Sequence, residues 1–402
     1  MSHRGRLVSL ITGLVLLSLF LSSCSRPIEG NLLGVDLSEL KKNDLSSFLE
    51  IMEERWLESP LILKVNGVTI SLNKKELGIS WNIEEMKRFI LKGKGETVPI
   101  LFSWEEEKVR SILNDLAQKT YSLPQDARLE GKRVIPSQEG KKLDEEGAII
   151  ELREALSRGT AEITLTTLQV IKPDIDTSLI LEKLGTSHLL ARYQTSLESK
   201  DEPTVYNIQK ASSSINGYIL EKGEIFSFNN LVGRAEKEDG YLETNIMVNG
   251  RLSPGYGGGV CQVSSTLYNA LLNTEARILE RHPHSGYSEA TSYVPPGRDA
   301  AVSYGSKDLR FSFPTQKVVI FAYLQDKNLI CEIWGEKGNS LQKTWETRVV
   351  SLEKRGEGEG LLTVETTVRN GEKTEYRYQD TYLIPWELGQ KIKEDFQNLG
   401  NK

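Results

Sequence analysis

The sequence holds few of the residues on which metal binding and nucleophilic chemistry depend. Its 402 residues include three cysteines and four histidines, so at most one disulfide can form. It also has no excess of positive charge, since the formal net charge is −6 and the isoelectric point is about 5.6. This balance disfavours nucleic acid as a partner. We therefore expect no nucleic-acid binding, and no sequence pattern leads us to expect a cofactor.

Long apolar runs are also scarce, because only residues 7–20 approach the length of a membrane segment. The positively charged MSHRGR precedes this run, and the small residues of LSSC close it at Cys24. The arrangement resembles a bacterial lipoprotein signal. That resemblance implies cleavage of residues 1–23, lipidation of Cys24, and anchoring at the extracytoplasmic face of the cell membrane. An uncleaved transmembrane anchor is the alternative, and it also places the rest of the chain outside.

Two small modules are predicted after the signal. Helix-like runs combine with short strands in both modules, residues 24–103 and residues 104–172. The two modules therefore share a similar order of secondary-structure elements without similar sequences. In the first module a helix-like run precedes a hairpin centred on Asn66 and Gly67, a residue pair typical of two-residue turns. Both modules are therefore expected to be α/β.

The C-terminal residues 336–402 have a strand-rich pattern that ends in a polar helix. Asn370 and Gly371 mark a hairpin between two strands of alternating polar and apolar residues. The whole pattern predicts a multi-domain α+β protein. It would consist of the small N-terminal modules, a central mixed domain at residues 193–335 and a β-rich C-terminal extension.

The central domain contains the segment in which reactive residues are concentrated, GYGGGVCQVSSTLYNALLNTEARILERHPHSGYS. Gly257–Gly259 predict a turn, and apolar residues at steps of three and four predict a helix from Val260 or Cys261. Cys261 would then lie in the first helical turn, where unpaired N–H groups and the helix dipole lower the pKa of a thiol. His282 and His284 follow in a strand or turn, from which one of them can fold back onto the cysteine.

From about residue 193 to residue 335 the chain resembles the VanW family. The matching pieces occur in the family's order: YNIQKASSSINGYIL, EKGEIFSFNNLVGRAEKEDGY, GGGVCQVSSTLYNALL, ERHPHSGY and YVPPGRDAAVSYGSKDLRFSF. The resemblance implies a cell-envelope context and an association with glycopeptide (vancomycin) resistance, but no defined reaction. Residues 104–172 resemble the peptidoglycan-binding module often found ahead of VanW domains. This implies peptidoglycan as a partner, and a simple spacer module is the alternative.

A cysteine–histidine site is the chemical hypothesis that these residues suggest. Cys261 would be the nucleophile, His284 or His282 its base, and Asp299 or Asp308 the group that orients the imidazole. Outside the cell, such a site would act on the amide bonds of peptidoglycan stem peptides, as a hydrolase or a transpeptidase. The alternative is a binding or scaffolding protein in which Cys261 is only a small buried residue.

Five further residues are candidates for binding a ligand. The side chain of Gln262 and the amides of Gly258 and Gly259 are expected to donate to a developing oxyanion. Asn229 either forms a turn, binds an amide of the ligand or orients His284. The rigid Pro-Pro-Gly turn is expected to present Arg298 together with Asp299. Arg298 then either forms a solvated salt bridge with that aspartate or faces a stem-peptide carboxylate.

Three alternatives bear on the thiols and on the charged residues near the histidines. Cys331 either forms a disulfide with Cys261 or is a buried, inert thiol on a strand. A zinc site built on both histidines and Cys261 lacks a spaced fourth ligand, so no metal is expected. In the alternative in which His282 and His284 only cap the C-terminus of the helix, a surface network of ion pairs is expected from Arg277, Glu280 and Arg281.

Overall fold

A computed structural model describes residue 28 and residues 30–93, 97–289, 291–337 and 343–399. The chain divides into two compact units, one formed by the chain up to residue 122 together with residues 141–170, the other by residues 123–140 together with residues 171–402. The predicted class, a multi-domain α+β protein, is confirmed. The signal segment and Cys24 lie outside the described residues. Within those residues, no helix is both long enough and apolar enough to cross a membrane.

Helices and mostly short strands are mixed along the described chain, and its three longest strands come near the end. The helices are α1 (Leu45–Glu58), α2 (Ile83–Leu91), α3 (Glu106–Thr120), α4 (Glu145–Ser157), α5 (Thr177–Leu184), α6 (Glu202–Ile215), α7 (Phe228–Val232), α8 (Val260–Leu272) and α9 (Trp386–Leu399). The first strands are β1 (Asn31–Leu32), β2 (Val35–Asp36), β3 (Pro60–Val65), β4 (Val68–Asn73), β5 (Ser80–Trp81), β6 (Phe102–Ser103), β7 (Arg128–Glu130), β8 (Arg133–Ile135), β9 (Gly140–Leu143), β10 (Glu162–Thr164), β11 (Leu168–Ile171) and β12 (His188–Ser196). The later strands are β13 (Tyr218–Leu220), β14 (Ile225–Ser227), β15 (Glu243–Val248), β16 (Arg251–Tyr256), β17 (Arg277–Glu280), β18 (Arg310–Ser312), β19 (Val318–Gln325), β20 (Asn328–Gly335), β21 (Lys343–Arg355), β22 (Glu359–Asn370) and β23 (Lys373–Pro385).

The first unit is built on one hydrophobic core that collects residues from both predicted modules. Helix α1 contributes apolar side chains at steps of four and three, and all of them are buried: Leu45, Leu49, Met52 and Trp56. The predicted hairpin is present as β3 and β4, and its Asn66 and Gly67 take φ of 46° and 82°. The core runs from Ile28 to Leu165, so the two modules share one interior.

The second unit is organised around a six-stranded sheet in the order β12-β20-β19-β13-β8-β7. Strands β7 and β8 come from the segment 128–135, which the sequence placed in the peptidoglycan-binding module. In the structure β8 pairs with β13 through Arg133 and Tyr218, so the hairpin extends the sheet of the second unit. Helix α8 packs against β12 and β20, and every residue of it except Cys261 is buried.

The C-terminal extension forms its own antiparallel sheet, β21-β22-β23, within the second unit. Its predicted hairpin is confirmed, because Asn370 pairs with Lys373 and Gly371 takes a φ of 58° in the two-residue loop. Val368, with Trp345 and Tyr376 beside it, packs into the core that surrounds α8. The extension therefore shares a hydrophobic core with the central domain.

Candidate active site

The glycines before α8 form a turn that leads into the helix, and a side chain at these positions would obstruct it. Gly257 and Gly259 take φ of 73° and 100°, which residues with a side chain rarely adopt. A Cβ atom at Gly258 would lie 2.0 Å from Oγ1 of Thr244. The helix then begins at Val260, as predicted, and Cys261 is its second residue.

Cys261 is a half-buried free thiol at the wall of a cleft of about 930 Å³. Its sulfur lies 3.5 Å from both the backbone nitrogen and the carbonyl oxygen of Val302. Residues that the sequence singled out also line this cleft: Gly258, Gly259, Gln262, His284 and Asn229. Cys261 therefore borders the cleft, and it is the one residue of α8 that is not fully buried.

A polar stripe on α8 sets the position of the segment that carries Asp299. Asn269 donates to the carbonyl of Arg298 at 2.7 Å, and the hydroxyl of Ser265 accepts from the N–H of Ala300 at 2.9 Å. The contact of Cys261 with Val302 continues the same pattern. Helix residues that are four positions apart therefore contact residues that are two positions apart on an extended segment. The spacings agree, because four helical residues rise about 6 Å and two extended residues about 6.6 Å.

His284 lies between the thiol and the carboxylate. Its imidazole is close enough to Cys261 to lower the pKa of the thiol, and the thiol in turn raises the pKa of the imidazole. Its Nδ1 lies 2.6 Å from Oδ2 of Asp299, and its backbone N–H donates to the same oxygen at 2.7 Å. Because Nδ1 is engaged by the carboxylate, Nε2 is the nitrogen left for the sulfur. The structure thus brings Cys261, His284 and Asp299 together.

The charges of the three groups support an ionised thiol. Burial raises the pKa of Cys261, but the hydrogen bond and positive charge of His284 outweigh it, so the pKa lies below its ordinary value. Burial lowers the pKa of His284, but Asp299 and the thiolate raise it to about 10. The pKa of Asp299 is held well below its usual range despite burial, because His284 and Arg281 favour the carboxylate. A thiolate–imidazolium pair is the expected resting state.

His282 and Asp308, the alternatives to His284 and Asp299, are bonded to other partners. The Nε2 atom of His282 is 3.0 Å from Oε1 of Glu280. The carboxylate of Asp308 accepts from the hydroxyl of Ser227 and, at 2.9 Å, from the N–H of Asn229, so it caps the start of α7. Neither residue is placed to assist Cys261.

Two expectations about the ligand-binding residues are corrected by their contacts. Gln262 is 1% exposed, and its amide nitrogen donates to the hydroxyl of Thr195 and the carbonyl of Ser196, each at 3.0 Å, so its side chain does not serve an oxyanion. Asn229 lies in helix α7 rather than in the expected turn, and its amide donates to the carbonyl of Lys307 at 2.8 Å, so it does not orient His284.

Arg298 is not presented to solvent, so the expectation of an exposed anion-binding arginine is wrong. It is 5% exposed, and its guanidinium lies 3.3 Å from the ring centroid of Trp345. The preceding turn directs both Arg298 and Asp299 inward, because the C-terminal sheet, which the sequence pattern treated as a separate extension, covers them. Burial lowers the pKa of Arg298.

Arg281 is a site residue that the sequence did not reveal, and its expected surface position is wrong. Its side chain is 7% exposed and pairs with two carboxylates, Asp299 at 2.9 Å and Asp380 at 2.6 Å. The hydroxyl of Tyr382 also donates to Oδ1 of Asp299 at 2.6 Å. No local pattern connects residues so distant in the chain. The one available signal was the polar stripe of Cys261, Ser265 and Asn269 on a helix that is otherwise a core element.

Cys331 is a buried thiol, as the second of its two alternatives predicted. It is 0% exposed, and both it and Cys261 are free, so the disulfide alternative is wrong. Burial raises the pKa of the Cys331 thiol, which keeps it protonated. In the part of the chain that the structure describes, no group of three or more histidine, cysteine, aspartate or glutamate side chains is arranged to hold a metal ion.

Comparison with known families now identifies the domain around this site. Residues 204–334 match the family model described as "VanW like protein". The chain carries a VanW-like domain. Residues 69–164 match a second model, described as "Putative peptidoglycan binding domain". Both resemblances inferred from the sequence are confirmed.

Two curated proteins are similar to this chain. The uncharacterized protein YoaR of Bacillus subtilis (strain 168) is 36% identical over 208 residues, which cover 51% of this chain and 66% of YoaR. The vancomycin B-type resistance protein VanW of Enterococcus faecalis (strain ATCC 700802 / V583) is 33% identical over 139 residues, which cover 34% of this chain and 50% of that protein. The matches thus span just under two thirds and one half of the relatives' lengths. No solved structure matches the chain.

Proposed function

We propose that the protein is a thiol-dependent acyl enzyme of the cell wall, which cleaves an amide bond in peptidoglycan stem peptides. The observation that carries the proposal is the Cys261–His284–Asp299 arrangement at the wall of an open cleft. The match to a peptidoglycan binding domain supports a cell-wall substrate. The second free thiol, Cys331, is buried and has a raised pKa, so it does not compete for this role.

In the first half of the reaction, the Cys261 thiolate attacks the carbonyl carbon, a carbon–sulfur bond forms, and the carbonyl electron pair moves onto oxygen. The N–H of Cys261 is in the first turn of α8, where it has no intrahelical acceptor, so it is suited to stabilise this oxyanion with the neighbouring amide of Gly259. The intermediate then expels the amine. His284 transfers its Nε2 proton to that nitrogen, which leaves a thioester on Cys261.

In the second half, a nucleophile attacks the thioester carbon, and His284 accepts its proton as the carbon–sulfur bond breaks. Water as the nucleophile gives a carboxylic acid, so the enzyme is a hydrolase. An amine of a second stem peptide gives a new amide, so the enzyme is a transpeptidase. The same residues serve both outcomes, and Asp299 holds His284 in the tautomer that both require.

The test uses the full chain with purified muropeptide monomers and dimers, analysed by mass spectrometry of products and of intact protein. Cys261→Ala should abolish both product formation and a thioester adduct, whereas Cys331→Ala should retain them. Turnover that persists in Cys261→Ala would refute the proposal. Free carboxylates among the products identify a hydrolase, and new cross-links identify a transpeptidase.

Binding to peptidoglycan is the second candidate function, and the match of residues 69–164 favours it. A binding protein would retain insoluble peptidoglycan sacculi without altering their composition. Co-sedimentation of Cys261→Ala with sacculi measures this activity separately from catalysis. Sedimentation of both wild type and variant, with no turnover by either, would favour a binding protein over an enzyme.

We further propose that the protein is a lipoprotein anchored through Cys24 at the extracytoplasmic face of the cell membrane, and that it contributes to glycopeptide resistance. The apolar run followed by LSSC supports the anchor, and the name of the Enterococcus relative supports the link to resistance. Mass spectrometry of the N-terminal peptide should detect a diacylglyceryl group on Cys24. Deletion of the gene should lower the vancomycin concentration that inhibits growth, and an unchanged value would refute the link.

A further inference from the structure

The C-terminal strand β23 places three polar side chains beside the segment that carries Asp299. Tyr378, Asp380 and Tyr382 are alternate residues, so they share one face of the strand. Tyr382 is 0% exposed and Asp380 is 4% exposed. The hydroxyl of Tyr382 donates to Oδ1 of Asp299 at 2.6 Å. This face of β23 is therefore turned towards the site and away from solvent.

The same strand also fixes the turn before Asp299. The N–H of Gly297 donates to the hydroxyl of Tyr382 at 2.8 Å, and its carbonyl accepts from the hydroxyl of Tyr378 at 2.8 Å. Gly297 takes a φ of 84°, and a Cβ there would lie 2.5 Å from Oγ1 of Thr366 on β22. The turn is thus packed directly on the C-terminal sheet, two residues before the carboxylate.

Asp380 acts on the site through Arg281. Its two oxygens accept from Nη1 of Arg281 at 2.7 and 2.6 Å, while Nη2 and Nε of that guanidinium donate to Oδ1 and the carbonyl of Asp299. Two carboxylates against one guanidinium leave a net charge of −1 in this buried group. This negative charge favours the imidazolium form of His284 and opposes the thiolate form of Cys261, so it bears on the charge of both groups.

We propose that β23 is part of the active site, with Asp380 and Tyr382 as positioning residues that act through Arg281 and Asp299 on the Cys261–His284 pair. This inference rests on the thiol chemistry proposed above. It extends the site past residue 334, where the VanW match ends. The C-terminal sheet then completes the active site.

Several ionisable groups surround Cys261 and His284, and each can affect the pH dependence of thiol reactivity. Those that interact with Asp299, His284 or Cys261 are Arg281, Asp380, Tyr287, Tyr293 and Tyr382. The ammonium of Lys307 approaches the carbonyl of Pro283, next to His284. Of these groups, Asp380 is the carboxylate whose removal changes the charge without removing a direct ligand of His284.

The experiment measures the rate at which iodoacetamide alkylates Cys261 in the folded full chain at a series of pH values, by mass spectrometry of the peptide that contains it. Asp380→Asn should lower the pH of half-maximal rate by about one unit, because a buried negative charge that opposes the thiolate is lost while His284 remains protonated. Asp380→Glu should keep the wild-type midpoint. Glu375→Gln is the matched control, since its carboxylate lies on the same strand but pairs with Lys343. Equal midpoints for Asp380→Asn and Glu375→Gln would overturn the inference.

Tyr382→Phe provides a second test if Asp380→Asn fails to fold. The Nδ1 proton of His284, bonded to Asp299, should give a resonance downfield of the amide protons. Loss of the Tyr382 hydroxyl should broaden that resonance, and Tyr376→Phe, which removes a hydroxyl from the same strand, should preserve it. An unchanged resonance in Tyr382→Phe would overturn the inference. Neither readout needs a substrate, so absent muropeptide turnover would refute the proposed enzyme without altering these results.

Discussion

Asp299 binds His284 twice through one oxygen, at 2.6 Å to the ring nitrogen Nδ1 and at 2.7 Å to the backbone N–H of the same residue. A single carboxylate therefore fixes both the orientation of the imidazole and the loop from which it projects. Because Asp299 is buried and also bonded to Arg281 and Tyr382, it has little freedom to move. The reactivity of Cys261 depends on this arrangement.

His284→Ala should slow alkylation of Cys261 at pH 7 by at least about tenfold. The variant loses the imidazolium that keeps the thiol pKa below its ordinary value, so less thiolate is present. His282→Ala is the matched control, because that ring contacts Glu280 and should leave the rate unchanged. Similar rates in the two variants would show that His284 does not activate the thiol.

Asp299→Asn should reduce turnover of muropeptides by about 10³- to 10⁴-fold, as expected for loss of the orienting carboxylate in a nucleophile–histidine–aspartate site. An amide in this position cannot stabilise the imidazolium by charge. Asp308→Asn, which removes a carboxylate that caps α7, tests whether any loss is only structural. The prediction would be contradicted if both variants lost turnover and melting temperature in parallel.

Turnover should fall as the pH rises through about 10. The pKa of His284 is raised to about 10, so above that value the imidazole no longer supplies a proton to the leaving amine. At the acid side, the lowered pKa of Cys261 should keep the thiolate present below the ordinary thiol pKa. Initial rates between pH 5 and pH 11 measure both limits, and a decline that begins near pH 7 would contradict them.

The free energy of unfolding should decrease as the pH falls below about 4. The folded pKa of Asp299 is depressed, so its stabilising contribution is present above the ordinary carboxyl pKa and is lost as the pH falls towards the folded value. Urea unfolding at pH 5 and pH 3 measures the change. A folded Asp299→Asn variant should show a smaller difference between the two pH values, and an equal difference would remove Asp299 as its source.

Gly259→Ala should destabilise the protein by about 2–4 kcal/mol, since backbone strain and overpacking add. The residue has a φ of 100°, and a Cβ there would lie 2.7 Å from Cγ1 of Ile208. Gly223→Ala is the matched control: its φ is 76°, but nothing lies within 4 Å of the added Cβ, so only the strain of about 1 kcal/mol should remain. Urea unfolding of both variants separates the two effects, and equal losses would exclude the clash.

Local patterns predicted the parts of the fold whose cause lies within a few residues. The turn at Asn66 and Gly67, the buried stripe of α1 and the start of α8 after the glycine run all appear as expected. The pairing of β8 with β13 had no such local signal. A short strand can pair with any compatible edge, and only the packing of the whole chain selects the partner.

The sequence by itself determined that Cys261 begins a glycine-preceded helix and that histidines and aspartates follow it, because turn, helix and motif signals are local. Only the tertiary structure decided between His284 and His282 and between Asp299 and Asp308, turned Arg298 inward, and brought Arg281, Asp380 and Tyr382 to the carboxylate. These choices depend on the register between α8 and an extended segment and on the docking of β23. The register and the docking are both determined by contacts between residues far apart in the chain, and residue spacing in the sequence does not predict such contacts.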